Sequence, residues 1–500
     1  MAPPGSSRLR FFALVARTVV VGAVTAMLVA GGLGAVSAPA AARAQPATLT
    51  WRSCAGAAAE CARLTVPLDD TNPADVRTID LALTRVPARD PDRRIGSLLV
   101  NPGGPGAPGA DFASGIASIL PDDVQDRFDI VGWDPRGTGA SAGIDCTDDL
   151  DPLYALDWDP DTDAERVALE DANRAFVAEC VASAGDLLSF ISSDRTARDM
   201  DRIRAALGDE QLSYVGFSYG TYLGAQYAAQ FPDRVRALVL DGAVDPALDA
   251  TAVQVEQAEA FERSLELFLD DCAKRTACAF HRGPGAGTAY DELRARLDDE
   301  GIPAGDDRRL NGTLFDTGIA QILYDGKASW PALDAALAAA AEGDGSELLS
   351  YADLYTDRAD DGTYGDVQDS FLAIGCADGP PLGGIEGLRA IEAKAKAKAP
   401  RLGPSIVNNS MACAFWPFEA PAPRPLHAPD ADPILVLGTR NDPATPLAWA
   451  KGLTEQLGSA TLLTVGGAHH TAFASGNACV DLVVQRYLVD LRTPRDGKRC

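Results

Sequence analysis

The sequence predicts an α/β fold: a mostly parallel sheet with helices on both faces and a large helical cap inserted late in the chain. Three observations lead there. Short runs that are apolar at nearly every position alternate with segments of helical periodicity, and such runs suit strands buried on both faces of a parallel sheet with right-handed crossovers. One of these runs, from Leu212, passes through Gly216-Phe217-Ser218-Tyr219-Gly220 directly into a helical segment, Ala225 to Phe231. Residues 247–430 then change character and become helical, polar and Ala-rich without convincing strands.

The amino terminus is set apart from the rest. Arg8, Arg10 and Arg17 precede an apolar stretch from Val19 to Val36 and a small-residue tract ending Ala42-Arg43-Ala44, the order of a secretory signal peptide cleaved after Ala44. An uncleaved membrane anchor is the alternative. No cysteine follows the apolar stretch for lipidation, and Leu9 interrupts a twin arginine. Removing residues 1–44 takes away four arginines and no acid, moving the net charge from −27 to −31. So acidic a chain is a poor partner for nucleic acid or an anionic membrane, and stable membrane association is not expected of the mature protein. All ten cysteines lie beyond residue 44, so disulfides are the default in an oxidising compartment. Local spacing invites nearest-neighbour pairs: Cys54 with Cys61, Cys146 with Cys180, Cys272 with Cys278, Cys376 with Cys413, Cys479 with Cys500. No C-x-x-C spacing or His-rich tract points to a metal, and no cofactor is expected.

Along the chain, Ala62 to Leu68 and Arg77 to Val86 alternate as antiparallel strands do. Ser97–Val100 reads as a buried strand ending in Asn101-Pro102-Gly103-Gly104-Pro105-Gly106, whose glycine pair leaves backbone N–H groups unshielded, as an oxyanion hole requires. Phe128–Trp133 repeats the pattern and ends in Asp134-Pro135-Arg136-Gly137-Thr138-Gly139, where Arg136 is either a substrate ligand or half of an ion pair that locks the loop. Asp163 to Ser183 and Ser193 to Leu207 read as crossover helices before the Ser218 strand. After Ala237–Leu240 come the cap helices Val253 to Leu269, Leu314 to Tyr324, Trp330 to Ala341 and Ile385 to Lys398. Two more buried strands, Pro433–Gly438 and Thr461–Val465, precede a final helix from Ala478 to Leu491. The expected organisation is a core of residues 45–246 and 431–500 interrupted by a cap of residues 247–430.

The chemistry follows from the turn around Ser218. A strand–turn–helix through Gly-x-Ser-x-Gly strains the serine backbone and lifts its hydroxyl over a helix N-terminus, where N–H groups stabilise developing negative charge. A serine hydroxyl needs a base, and the base needs an orienting acid. The histidines are His281, His427, His469 and His470. The first two fall in the cap, whereas His469-His470 follows the last core strand. Asp442 ends the strand before it, giving the order Ser, Asp, His of an α/β-hydrolase. Asp241, after another core strand, is the rival acid.

These motifs, together with Leu240-Asp241-Gly242, Asp245-Pro246, Asp442-Pro443-Ala444-Thr445-Pro446 and His470-Thr471-Ala472-Phe473, resemble the secreted tripeptidyl aminopeptidase group of the α/β-hydrolases. The group is related to the proline iminopeptidases and is familiar from actinobacteria. The resemblance implies Ser218 as nucleophile, Asp442 as orienting acid and His470 as base. His469 stands where the group usually has glycine, and the spacing to Cys479 favours His470. It further implies a secreted serine exopeptidase acting on free N-termini of peptides, with a carboxylesterase on the same triad as the alternative and a catalytically idle binding module as a third. The expected oxyanion donors are Tyr219 N–H and one from Gly103 or Gly104. Selecting a free N-terminus needs a carboxylate for its ammonium group, and Glu256, Glu259 and Asp378 in the cap are the candidates.

Overall fold

A computed structural model describes residues 49–54, 59–280, 285–305, 308–419 and 421–500. The expected signal peptide, residues 1–44, and His281 lie outside the described residues. The sheet is nine-stranded, in the order β1-β2-β3-β5-β4-β6-β7-β10-β11, with β1 (Arg52–Ser53), β2 (Glu60–Pro67), β3 (Thr78–Val86), β4 (Gly96–Asn101), β5 (Phe128–Trp133), β6 (Leu212–Phe217), β7 (Val235–Asp241), β10 (Ile434–Thr439) and β11 (Ala460–Val465). The first strands pair antiparallel up to β3–β5, and every later pair is parallel. A separate small hairpin joins β8 (Ile302–Ala304) to β9 (Arg308–Leu310).

The uninterrupted apolar runs have the reason the pattern implied. Every residue of β4, β5, β6 and β10 is buried, because side chains alternate between two helix-covered faces. Leu99, Val131, Tyr214, Leu238 and Val436 meet one set of helices, while Leu98, Ile130, Val215, Val239 and Leu437 meet the other. Helices α1 (Gly109–Ala117) and α2 (Asp122–Arg127) pack on the second face, and α5 (Ser193–Leu207) and α6 (Tyr219–Gln230) on the first, after α3 (Asp151–Tyr154) and α4 (Asp163–Ala184) have left the sheet. Arg136 is fully buried in a two-pronged pair with Asp199 of α5, 2.7 and 3.0 Å, and donates to the Leu68 and Phe190 carbonyls as well. It is therefore the loop lock and not a substrate ligand.

Between β7 and β10 lie α7 (Ala250–Lys274), α8 (Ala286–Asp299), α9 (Gly312–Leu323), α10 (Trp330–Glu342), α11 (Ser346–Thr356), α12 (Val367–Asp378), α13 (Gly384–Lys398) and α14 (Gly403–Asn408); α15 (Leu447–Leu457) and α16 (Ala478–Asp490) complete the sheet layers. The helices between β7 and β10 share one hydrophobic cluster with Leu153, Trp158, Leu169, Phe176 and Val177. Thus α3 and α4 belong by packing to the helical layer and not to the sheet. Periodicity identified α4 as a helix, but its apolar stripe does not reveal which layer will cover it. All five cysteine pairs are nearest neighbours: Cys54–Cys61, Cys146–Cys180, Cys272–Cys278, Cys376–Cys413 and Cys479–Cys500. Cys146–Cys180 fastens α4 to the loop after β5, and Cys376–Cys413 fastens the end of α12 to the segment after α14.

Candidate active site

Ser218 occupies the turn between β6 and α6 with φ 53° and ψ −123°, a conformation that costs a non-glycine residue about 1–3 kcal/mol and persists only where the surroundings enforce it. They do so here. Its amide donates to the Asp241 carbonyl at 2.8 Å, and its own carbonyl accepts from Thr221 N at 2.8 Å and Thr221 Oγ1 at 2.6 Å. Gly216 has no alternative residue, because a β-carbon there would lie 2.4 Å from the Gly220 carbonyl oxygen. Tyr219 opens α6, so its N–H is one of the donors a helix start leaves without an intrahelical partner.

Asp442 follows β10 and is buried; its Oδ1 accepts from the amides of Ala444 and Thr445, both at 2.9 Å, and its Oδ2 from Thr445 Oγ1 at 3.2 Å. With the carboxylate so fixed, His470 Nδ1 lies 2.8 Å from Oδ1 and 3.0 Å from Oδ2. His469 instead places Nδ1 2.6 Å from the Thr471 carbonyl. Asp241, the rival acid, does not hold the imidazole: its Oδ2 accepts from the amides of Ala472 and Phe473 at 2.8 and 2.7 Å and so ties down the loop that carries His470. The helical layer supplies a third support, since His470 N–H donates to the Tyr324 carbonyl at 2.8 Å and the two rings meet edge-on at 5.3 Å. Among the described residues, His470 Nε2 is buried without a hydrogen-bond partner. The ring sits against the end of β7, where a β-carbon on Gly242 would come within 2.9 Å of Cε1. That is the residue after Asp241, whose carbonyl receives the Ser218 amide. Burial pulls the imidazole pKa down, but the Asp442 carboxylate outweighs it and, with Asp241, leaves the pKa raised above the ordinary 6.5.

The glycine pair divides its work. Gly103 lies so close to the elbow that a β-carbon would stand 2.5 Å from the Phe217 carbonyl and 3.1 Å from Tyr219 N. Its N–H, however, donates to Asn101 Oδ1 at 3.0 Å, which removes Gly103 from the donor set. Among the described residues no acceptor engages the Gly104 N–H.

Ser218, Tyr219 and Gly104 open onto a cavity of about 930 Å³ walled by apolar and aromatic side chains including Phe371, Leu372, Trp416 and Phe418. Of the three acids considered for an ammonium group, Asp378 alone lines it. Glu256 lies off the cavity and accepts from Trp449 Nε1 at 2.7 Å, and Glu259 is taken up by Lys398 at 2.5 Å. Asp378 is half-buried at the end of α12, and loss of solvent around it pushes its carboxyl up to about 6 although Tyr219 and Ser193 donate to it. Asp194 and Glu419, which sequence reasoning did not single out, and Asp245, named there only within a motif, line the same cavity, as do Arg195 and Arg424. Asn101 and Thr445 were also missed as participants. Both fall inside the motifs quoted above, but nothing in a motif's spelling says where an amide or hydroxyl will point.

A family model described as "TAP-like protein" matches residues 399–500. The chain is 36% identical over 457 residues to "Serine protease Hip1" of Mycobacterium tuberculosis, an alignment that covers 88% of this chain and 87% of that protein. It is 35% identical over 456 residues to "Carboxylesterase B" of Mycobacterium tuberculosis, with 88% and 86% covered. To the "Tripeptidyl aminopeptidase" of Streptomyces lividans it is 30% identical over 490 residues, with 93% and 88% covered. With that similarity sustained over most of its length, the chain is a serine hydrolase and belongs to the actinobacterial tripeptidyl aminopeptidase-type group of the α/β-hydrolases.

Proposed function

We propose that the protein is an exported serine exopeptidase that cleaves short peptides from free N-termini through an acyl-enzyme, with Ser218 as nucleophile, His470 as base and Asp442 as its orienting acid. The observation that carries the reading is the state of His470: Nδ1 is held by Asp442, Nε2 is buried without a hydrogen-bond partner among the described residues, and the ring packs against the end of β7, whose Asp241 carbonyl receives the Ser218 amide. Ser218 Oγ attacks the substrate carbonyl as Nε2 takes its proton, and the electron pair moves onto the carbonyl oxygen. The N–H groups of Tyr219 and Gly104 receive that oxygen. Collapse breaks the C–N bond, the leaving amine takes the proton from Nε2, and water releases the acyl group by the same route. Residues 247–430 act as a cap over the cavity, whose acids favour an ammonium group. Five disulfides support export.

Carboxylesterase activity is the second reading, favoured by the similarity to Carboxylesterase B, because ester and peptide acyl transfer use one triad. Fluorophosphonate labelling tests the nucleophile: wild type should label and Ser218→Ala should not. A panel of aminoacyl, dipeptidyl and tripeptidyl aryl-amides beside short-chain aryl esters separates the readings. Turnover of the esters alone would make esterase the function.

A further inference from the structure

We propose that Asp378 is a positioning residue for the oxyanion hole: by binding the Tyr219 phenol it lets the helical layer set the Tyr219 backbone N–H. Tyr219 Oη donates to Asp378 Oδ2 and therefore accepts at 2.6 Å from Ser193 Oγ. The Ser193 amide, at the start of α5, donates to both Asp378 oxygens at 2.9 Å. Asp378, the last residue of α12, thus joins three parts of the molecule: α12, the first turn of α5 and the residue that follows the nucleophile. Among the described residues no cation pairs with it.

The position of Tyr219 makes this tie consequential. The N–H of a first helical residue takes no part in the helix ladder, so its direction follows the backbone at Ser218 and the seating of Tyr219 itself. Ser218 is held in its strained conformation from the sheet side by the Asp241 carbonyl and by Thr221. The phenol of Tyr219, seated on Asp378, is the anchor from the other side. Preorganised donors stabilise a transition state only if they already point where charge develops. The same helix walls the cavity through Phe371, Leu372, Gly375 and Cys376, and the Cys376–Cys413 bridge pins its last turn. A substrate chain that fills the cavity therefore presses on the element that seats Tyr219, and remote binding energy has a route to kcat.

The competing role for a carboxylate on the wall of this cavity is capture of the substrate's ammonium group. Asp378 is less suited to it, because Ser193 N and Tyr219 Oη already occupy both of its oxygens. The proposal rests on acyl transfer at Ser218 but not on exopeptidase specificity, since an ester passes through the same oxyanion.

The test compares Asp378→Asn, Tyr219→Phe and the double variant, all as full mature chain, on p-nitrophenyl acetate and on a free-amine tripeptidyl p-nitroanilide. Each single variant should lower kcat about tenfold or more on both substrates with KM moving less than about twofold, and fluorophosphonate labelling should slow to match. The double variant should be no worse than the more impaired single, because both changes cut one link. A rise in KM confined to the free-amine substrate would make Asp378 the amine ligand and overturn the proposal. So would unchanged kcat in Tyr219→Phe, or losses that multiply in the double variant. Tyr219→Phe keeps the ring and decides alone if Asp378→Asn does not fold. If wild type cleaves the ester but no peptide, the exopeptidase reading fails while the ester measurements still decide this one.

Discussion

His470 Nδ1 lies 2.8 Å from Asp442 Oδ1 while Nε2 on the same ring is buried with no partner among the described residues. An imidazole held on one side and free on the other has its tautomer set: Nδ1 carries the proton, and Nε2 offers its lone pair. Asp442→Asn should lower kcat by roughly 10⁴ with little change in KM, because the amide can hold the wrong tautomer. Steady-state kinetics on an aryl ester checks it, and a variant within about tenfold of wild type would remove Asp442 from the triad.

The acid limb of kcat/KM should fall above the ordinary histidine value of 6.5. His470 must be neutral to act as base, and the Asp442 carboxylate overrides burial to leave its pKa raised. In Asp442→Asn the residual activity should show a limb shifted to lower pH, since burial then acts with less opposition. A pH series of kcat/KM on both proteins is the measurement, and an identical limb in the two would show that another group titrates.

Thermal stability should rise as the pH is lowered from neutral to mildly acid. Burial pushes Asp157, Asp316, Asp369 and Asp378 each from 3.8 to about 6. Between those values the folded chain binds more protons than the unfolded one, so stability falls as pH rises through about 4 to 6 and is greatest near the lower end of that window. Of these, Asp369 accepts the amides of Cys146 and Thr147 from a neighbouring loop, so part of the effect is felt where the helical layer meets the sheet. Melting temperatures across pH 4–8 check the sign, and Asp369→Asn should flatten the slope. A melting temperature that climbs steadily to pH 8 would refute it.

Much of this was legible because the physics that makes it is local. A strand buried on both faces must be apolar at every position, so β4, β5, β6 and β10 announce themselves. An elbow that admits no β-carbon at Gly216 must spell glycine there. What was not legible depends on where distant side chains point. Gly103 and Gly104 are equivalent as letters, and only the Asn101 side chain, bonded back to Gly103 N–H, separates them. Tyr219 and Asp378 are 159 positions apart, and in a chain this acidic no single carboxylate stands out. Arg136 admitted two roles until its depth in the fold was known, since a guanidinium at a loop tip and one fully buried against Asp199 have the same sequence.

That buried pair yields its own expectation. Arg136→Met leaves Asp199 without its strongest partner in a site with no exposure, which should cost about 3–5 kcal/mol of stability. Replacing both residues with apolar ones of similar size should recover part of the loss, because no unpaired charge then remains buried. Denaturant unfolding of the three proteins decides it, and a single variant as stable as wild type would mean that Arg202, 3.1 Å from Asp199 Oδ1, suffices alone.

The remaining expectation concerns the free N-terminus. A triad is indifferent to substrate length, so selectivity has to arise in the cavity, where a charge-assisted hydrogen bond to an ammonium group discriminates strongly against a blocked amine. The cavity's acids are not equally available. Asp194 is paired with Arg198 at 2.5 Å, Asp245 Oδ1 accepts from Gln456 Nε2 at 2.6 Å, and Asp378 is bound by Ser193 and Tyr219. Glu419 lines the cavity from the exposed side, and among the described residues it has no ion-pair partner. Glu419→Gln should therefore raise KM about tenfold for free-amine tripeptidyl anilides and leave p-nitrophenyl acetate untouched, with N-acetylation of the peptide substrate producing a comparable or larger loss in wild type. Acetylated and free peptides turned over equally would show that no carboxylate reads the amine. Selectivity that survives Glu419→Gln would move the ammonium site to another wall of the cavity.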